Sequence, residues 1–188
     1  MKKGLRQFML ILASGSPRRQ DLLKQVELNF LTIISNVDES SVTETDPKEK
    51  AMTLARLKSH AIDNDEDIIL SCDTLIHFNG EILEKPRDKD DARRMLKMLS
   101  GNTHTVISAA LLRKADVEIP IVRETEVEFF DLDDKTIDHY LNTDEPYDKA
   151  AAYGIQGLGA MFVKHISGDY NAVVGLPLGD ICRKLREL

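Results

Sequence analysis

The stretch Met9-Leu-Ile-Leu-Ala-Ser-Gly-Ser-Pro-Arg-Arg19 decides how the fold begins. Its apolar first half predicts a short buried strand. Ser16 suits the N-cap position and Pro17 suits the first turn of a helix, so a helix should begin directly after the strand. A strand, a short glycine-containing loop and a helix in this order indicate an α/β protein.

Two arginines, Arg18 and Arg19, fall in the first turn of this predicted helix. Positive charge there opposes the helix dipole, typically by about 0.3–1 kcal/mol. The arrangement makes sense if an anion binds at the helix start, where free N–H groups, serine hydroxyls and the guanidinium groups would bind phosphate together. The alternative is a capped helix with solvated arginines, and the sequence leaves both interpretations open.

Strand and helix patterns alternate along the rest of the chain. Further strands are predicted at residues 28–35, 68–73, 104–113, 121–132 and 160–166, and further helices at residues 47–63, 88–100, 133–142 and from 177 onward. Asn79-Gly80 predicts a hairpin turn between short apolar runs. On the first helix, Leu22, Leu23 and Val26 are expected to face the core.

The composition fits one domain spanning residues 1–188, because 42% of the residues are apolar and can form a core. No stretch approaches the ~20 apolar residues of a membrane span. The apolar run behind the basic opening Met1-Lys-Lys-Gly-Leu-Arg6 is too short for a signal peptide, so we expect a cytoplasmic protein without a membrane partner. A net charge of −7 argues against binding a nucleic-acid polymer and favours a small anionic ligand at local basic sites.

The two cysteines, Cys72 and Cys182, have no CxxC partner. A zinc site or a redox pair is therefore not expected. Both lie in apolar stretches and should behave as small core residues.

Lys58 is expected on an apolar helix face, near the centre of a set of small and aliphatic side chains. At about 100° per residue, that face consists of Ala51, Leu54, Ala55, Leu57, Ala61 and Ile62. A lysine that faces a core is costly unless it is paired. Either Lys58 snorkels to the edge of the core or it reaches into a cleft toward an anion, and the pattern does not choose between them.

Asp73-Thr74 follows an apolar run that is typical of a strand covered on both faces. A carboxylate that closes such a strand would lie at a cleft mouth, where α/β sheets bind ligands. It could bind a metal or deprotonate a water, or it could be an ordinary turn aspartate. Lys85 and Arg87 stand directly before a predicted helix start, where a phosphate could bind or a solvated loop could explain them.

The segment Tyr153-Gly-Ile-Gln-Gly-Leu-Gly159 contains three glycines that would let the backbone approach a ligand. Gln156 offers an amide donor and acceptor suited to the edge of a base. The segment matches neither the Walker A pattern nor the dinucleotide fingerprint. Together with the basic sites and the carboxylates, it indicates a pocket for a polyanion with a divalent cation.

As an ordered set, these stretches resemble the Maf family of nucleoside triphosphate pyrophosphatases, in its dTTP/UTP branch. The matching blocks are Leu12-Ala-Ser-Gly-Ser-Pro-Arg-Arg19, Val37-Asp-Glu39, Leu54-Ala-Arg-Leu-Lys58, Cys72-Asp-Thr74, Gly80 through Glu84-Lys-Pro86, Leu99-Ser-Gly101 with His104, Asp144-Glu-Pro146, Asp148-Lys-Ala150, Tyr153-Gly-Ile-Gln-Gly157, and Gly168-Asp-Tyr170 with Val173-Val-Gly-Leu-Pro-Leu178. The resemblance implies an α/β fold with an elongated mixed sheet, flanking helices and two lobes around a nucleotide-binding cleft, similar to inosine triphosphatase.

The resemblance also implies a reaction, in which water attacks the α-phosphorus of a nucleoside triphosphate and pyrophosphate leaves. It implies a divalent metal, magnesium or manganese, and a homodimer. The implied roles are proton acceptor for Asp73, substrate specificity for Arg18, Thr74 and Gln156, phosphate binding for Ser14, Arg19, Lys58 and Lys85, and metal binding for Glu39 and Asp73, with Asp148 as a further candidate.

Three alternatives stand beside this expectation. A sister branch of the family acts on 7-methyl-GTP and tends to carry an aromatic residue where this chain has Arg18, so Arg18 and the run Gly154-Ile-Gln-Gly157 favour dTTP and UTP. A nucleotide-sensing regulator of cell division would bind the same ligands without turnover. A phosphatase would release single phosphates. One departure from the family pattern is Ala151, where the family commonly has glycine.

Overall fold

A computed structural model describes residues 9–187, so the basic opening of the chain lies outside the described residues. Its strands are β1 (Leu10–Leu12), β2 (Phe30–Thr32), β3 (Ile68–Phe78), β4 (Glu81–Leu83), β5 (Thr103–Lys114), β6 (Val117–Phe129) and β7 (Val163–Ser167). Its α-helices are α1 (Pro17–Gln25), α2 (Pro47–His60), α3 (Lys89–Leu99), α4 (Asp134–Leu141), α5 (Tyr170–Val174) and α6 (Leu178–Lys184). None of the helices in this part of the chain is long and apolar enough to cross a membrane.

The seven strands form one mixed sheet in the order β2-β1-β3-β5-β6-β7, with β4 paired to β3. β1 pairs in parallel with β2 and β3, and α1 and α2 supply the crossovers that parallel strands require. The other pairings are antiparallel, and Asn79-Gly80 forms the predicted hairpin turn between β3 and β4. The predicted α/β class, a mixed sheet flanked by helices, is confirmed.

The long strand β3 corrects one prediction about the site. The strand was expected to close at Asp73, but it continues to Phe78 because Leu75 and Ile76 extend the apolar pattern and pair with β5. Asp73 therefore lies in the middle of a central strand, opposite Ala109, and not at a strand end.

Several element boundaries also differ from the sequence prediction. β2 is a short, largely exposed edge strand, and the strand expected at 160–166 starts at Val163 because a 3-10 helix (Gly157–Phe162) precedes it. The short helix α5 was not predicted. Val26 does not face the core as expected, because it follows the end of α1 and is 39% exposed.

Two apolar clusters lie along one face of β3 and β5. One contains Cys72 and the other contains Ile76, and between them on β3 stands Thr74. Because side chains alternate along a strand, Thr74 and Asp73 point to opposite faces of the sheet. On the Asp73 side, α2 packs on the sheet through a third cluster, which includes Leu75.

Candidate active site

The guanidinium of Arg19 joins three segments on the Thr74 side of the sheet. Its Nε donates to the backbone oxygen of Gly175 at 2.9 Å. Its Nη1 donates to Oγ of Ser14 at 3.0 Å, and its Nη2 donates to Oγ1 of Thr74 at 3.4 Å. A guanidinium carries five N–H donors in a rigid fork, so Arg19 is held in place and still has N–H groups to offer a ligand.

The turn at Gly175 makes this arrangement possible. Gly175 follows α5 with φ of 135°, a conformation that L side chains rarely adopt, and its carbonyl accepts hydrogen bonds from Arg19 and from Sγ of Cys72.

The predicted capping role of Ser16 is wrong in part. Ser16 occupies the N-cap position of α1, but its hydroxyl makes no cap, and its N–H donates to Oγ of Ser14 at 3.3 Å.

Ser108 is a part of this network that the sequence did not reveal. It lies opposite Thr74 in the β3–β5 register, and the two hydroxyls are 3.2 Å apart. Its side chain is completely buried and also lies 3.5 Å from Sγ of Cys72. The sequence signal that could have revealed it is a serine beside the alanines and leucines of β5, at a position that faces the interior.

On the other face of the sheet, Lys58 bridges two carboxylates. Its Nζ is 2.6 Å from Oδ1 of Asp73 and 3.1 Å from Oε1 of Glu39. Lys58 comes from α2, Asp73 from β3 and Glu39 from a 3-10 turn (Glu39–Ser41) that the side chain of Asp38 caps. Lys58 is only 9% exposed and Asp73 only 7%. The lysine therefore does not snorkel to solvent, and it pays for its burial by pairing with both carboxylates.

Arg18 forms a separate polar group with two residues from the far end of the chain. Its Nη1 donates to Oδ2 of Asp148 at 3.2 Å, and Nζ of Lys149 donates to Oδ1 of Asp148 at 2.6 Å. Partial burial alone would raise the pKa of Asp148, but the hydrogen bonds and charges of Lys149 and Arg18 outweigh it and hold that pKa below its usual value. Both oxygens of Asp148 are thus engaged by cations, which does not favour it as a metal ligand.

Lys85 and Gln156 are both exposed, and neither side chain has a hydrogen-bond or ion-pair partner within residues 9–187. A backbone hydrogen bond joins the two segments that carry them, from the N–H of Ala151 to the oxygen of Glu84 at 2.9 Å.

Ala151 itself adopts φ of 53°. The alanine thus stands in a left-handed conformation that favours glycine, the residue that the resemblance led us to expect there.

A buried hydrogen bond fixes Tyr153, which begins the segment that carries Gln156. Nε2 of His104 lies 2.6 Å from the hydroxyl of Tyr153, and the two rings pack edge to face with Phe129. Burial lowers the pKa of His104 to about 4 and raises that of Tyr153. Nδ1 of His104 is buried without a hydrogen-bond partner in the described part of the chain.

The candidate metal ligands are two carboxylates and not a complete cage. Within residues 9–187, no group of three or more His, Cys, Asp or Glu side chains is placed to hold a metal ion. Glu39 and Asp73 are nevertheless brought together by their shared contact with Lys58. One or two carboxylates completed by substrate phosphates and water are the ligands that Mg²⁺ commonly takes, so the pair fits such an ion.

The whole described chain matches a known family. A family model described as Maf-like protein matches residues 9–188. The chain belongs to the Maf family. Curated relatives named dTTP/UTP pyrophosphatase come from Bacillus cytotoxicus, with 42% identity and 94% of each chain covered, and from Fusobacterium nucleatum subsp. nucleatum, with 43% identity and 95% of each chain covered. The relative of that name from Bacillus anthracis is 42% identical, with 95% of this chain and 94% of that one covered.

Membership in the Maf family confirms the resemblance that the ordered motifs indicated. A HAM1 protein from Coxiella burnetii is also similar in structure, at 15% sequence identity and a TM-score of 0.45, with 97% of this chain and 100% of that chain covered.

Proposed function

We propose that this protein hydrolyses dTTP and UTP to the nucleoside monophosphate and pyrophosphate. The observation that carries the proposal is the buried ion pair between Lys58 and Asp73, in which the ammonium of Lys58 also contacts Glu39. It combines a carboxylate able to accept a proton with a cation able to bind phosphate. The relatives named dTTP/UTP pyrophosphatase support the choice of substrate.

In this proposal the triphosphate competes with the carboxylates for Lys58. Phosphate oxygens would draw the ammonium of Lys58 away from Asp73, and Asp73 would then be free to accept a proton from the attacking water. In the free enzyme the ion pair with Lys58 therefore occupies Asp73, and substrate binding frees the carboxylate. The two events are coupled because one ammonium serves both partners.

The leaving pyrophosphate gains negative charge as the bond to the α-phosphorus breaks. Cations that are already in place stabilise this charge more in the transition state than in the ground state. Arg19 is fixed by Ser14, Thr74 and Gly175, so it costs little reorganisation, and Lys85 has no competing partner within residues 9–187. A divalent cation held by Glu39 and Asp73 would neutralise phosphate charge and polarise the water.

The base of the nucleotide would be selected by Arg18, Thr74 and Gln156. The amide of Gln156 has an unused donor and an unused acceptor, as recognition of a pyrimidine edge requires. Arg18 and Thr74 are both tied into hydrogen-bonded networks, so they would present a fixed surface to the ligand. Thr74 and Asp73 point to opposite faces of the sheet, but among the described residues β3 has no strand partner at residues 71–75 on the side of β1 and β4. A nucleotide at this open edge would reach both side chains.

The direct test is product analysis with dTTP, UTP, CTP and 7-methyl-GTP in the presence of Mg²⁺ or Mn²⁺. We expect pyrophosphate and the monophosphate from dTTP and UTP, and no turnover when both metals are chelated. Selective release from 7-methyl-GTP would assign the chain to the sister branch, and orthophosphate as the product would indicate a phosphatase. Binding without turnover of any of the four would favour a nucleotide sensor, for example in cell division.

The proposal includes a homodimer, which the family resemblance implies, and a location in the cytoplasm, which the sequence pattern of the chain's opening led us to expect. Sedimentation equilibrium of the purified protein measures the first. Cell fractionation with an antibody to the chain measures the second.

A further inference from the structure

The turn that carries Gln156 is held by a carboxylate from another segment, Glu145. The backbone N–H of Leu158 donates to Oε1 of Glu145 at 2.9 Å, and the N–H of Gly159 donates to Oε2 at 3.3 Å. Both donors lie within three residues of Gln156, whereas Glu145 lies 13 and 14 residues before them.

The turn needs such an acceptor. It begins a 3-10 helix (Gly157–Phe162), whose first N–H groups have no partner inside the helix. Gln156 stands at the N-cap but makes no capping hydrogen bond, so its side chain stays free. Glu145 takes the capping role from a distance, and a charged acceptor forms stronger hydrogen bonds than a neutral one.

The packing around Glu145 is specific to this arrangement. Gly157 adopts φ of 68°, and a Cβ at this position would overlap the Glu145 carboxylate. Only glycine therefore lets the carboxylate approach the turn. The block Asp144-Glu-Pro146 belongs to the family pattern but has no role in the proposed chemistry. These contacts indicate that its glutamate holds the turn that carries Gln156.

Glu145 is also connected to the group around Arg18. Nζ of Lys149 donates to the backbone oxygen of Glu145 at 2.6 Å and to Oδ1 of Asp148 at 2.6 Å, and Asp148 accepts from Arg18 at 3.2 Å. The chain of contacts therefore runs from Arg18 through Asp148 and Lys149 to Glu145, and from there to the turn of Gln156.

We propose that Glu145 is a positioning residue for base selection, which acts by fixing the Gln156 turn relative to Arg18. The inference rests on the proposed function, because it assigns a task to the same site. Glu145 is not among the residues proposed to bind the base or the phosphates, and its carboxylate is engaged by the N–H groups of Leu158 and Gly159. Its loss should therefore weaken the discrimination between uracil and cytosine while leaving the hydrolytic step largely intact.

The test compares Glu145→Gln and Glu145→Ala with the wild-type chain, using the ratio of kcat/KM for UTP to kcat/KM for CTP. We expect KM for UTP to rise and this ratio to fall by about tenfold in Glu145→Ala, the factor that about 1.4 kcal/mol of lost positioning corresponds to. We expect kcat for UTP to stay within about threefold. Glu145→Gln keeps the shape and one acceptor but loses the charge, and should give an intermediate ratio.

The matched control is Asp144→Asn, a carboxylate in the same block that is exposed and makes no capping hydrogen bond. It should leave the ratio unchanged. An unchanged ratio in both Glu145 variants, or an equal loss of kcat on every triphosphate, would overturn the inference, as would a wild-type chain without preference for UTP. A wild-type chain that releases no pyrophosphate from UTP would instead defeat the proposed function itself.

Discussion

The ammonium of Lys58 lies 2.6 Å from a carboxylate oxygen of Asp73, and side-chain exposure is 11% for the lysine and 10% for the aspartate. The pair joins α2 to the middle of β3, and Glu39 extends it on the outer side. The same contact therefore stabilises the packing of α2 on the sheet and holds the proposed proton acceptor, Asp73, in place.

Removing Lys58 should destabilise the free protein strongly. In Lys58→Met the buried Asp73 loses its partner, and breaking a buried pair typically costs about 3–5 kcal/mol. Denaturant unfolding without ligand measures the change. The double variant Lys58→Met/Asp73→Leu should regain most of the loss, because neither charge then remains unpaired.

The control for this prediction is Lys48→Met on the same helix. Lys48 pairs with Glu124 at 2.7 Å, but both side chains are about half exposed, so its loss should cost at most about 1 kcal/mol. Equal effects of the two lysine variants would show that the Lys58 pair is no more than a surface contact.

Ala151→Gly should stabilise the protein. Ala151 is buried with φ of 53°, and a left-handed conformation costs a residue with a Cβ roughly 1–2 kcal/mol. The greater freedom of glycine in the unfolded chain offsets part of this gain, which leaves about 0.5–1 kcal/mol. Ala92→Gly, at a buried position inside α3, should have the opposite sign. A loss of stability in Ala151→Gly would contradict the strained conformation.

The stability of the protein should fall as the pH decreases from about 6.5 to 4, in part because of His104. Burial lowers the pKa of His104 to about 4 in the folded state, so the unfolded chain takes up a proton first as the pH falls. The contribution is present in full above the unfolded pKa and is lost between the two values. Its size is roughly 3 kcal/mol, from 1.36 kcal/mol per pKa unit.

The comparison that isolates this effect is wild type against His104→Gln, in which the side-chain amide can still reach the hydroxyl of Tyr153. Free energies of unfolding measured at pH 7.5, 6, 5 and 4.5 should decline more steeply for the wild type. Parallel pH profiles would mean that His104 titrates normally in the folded protein.

Arg19→Lys should impair catalysis although it keeps the charge. The guanidinium donates to Ser14, Thr74 and Gly175 at once, and a lysine ammonium on a flexible stem cannot reproduce this fork. We expect kcat/KM for UTP to fall by about 10- to 100-fold, which is less than the roughly 100- to 1,000-fold typical for removal of a preorganised donor, because the charge remains. Arg183→Lys, at an exposed position of α6, should change it less than twofold.

The sequence predicted those parts of the fold whose signals are local. Helices were expected at residues 47–63 and 88–100, and in the structure the side chains of Asp46 and Asp88 cap the corresponding helices α2 and α3. Asn79-Gly80 was expected to form a hairpin and does. The end of β3 was missed because Asp73, although polar, is paired from α2, and that partner lies 15 residues away.

The site was predictable as a set of residues but not as a geometry. The sequence placed Lys58 on an apolar face, yet its two carboxylate partners come from different elements. Glu145 and Ser108 were missed as functional candidates for the same reason, because their hydrogen-bond partners are distant in the chain. Such pairings depend on strand register and turn geometry, which side-chain patterns alone do not encode.

Asp73 is proposed to accept a proton during release of pyrophosphate from dTTP or UTP. The most direct measurement compares wild type and Asp73→Asn for pyrophosphate release from UTP with Mg²⁺, together with UTP affinity by calorimetry under non-turnover conditions. We predict a loss of turnover of at least about 100-fold, at the lower end for removal of a general base, with UTP still bound. Turnover by Asp73→Asn within a few-fold of the wild type would contradict the account.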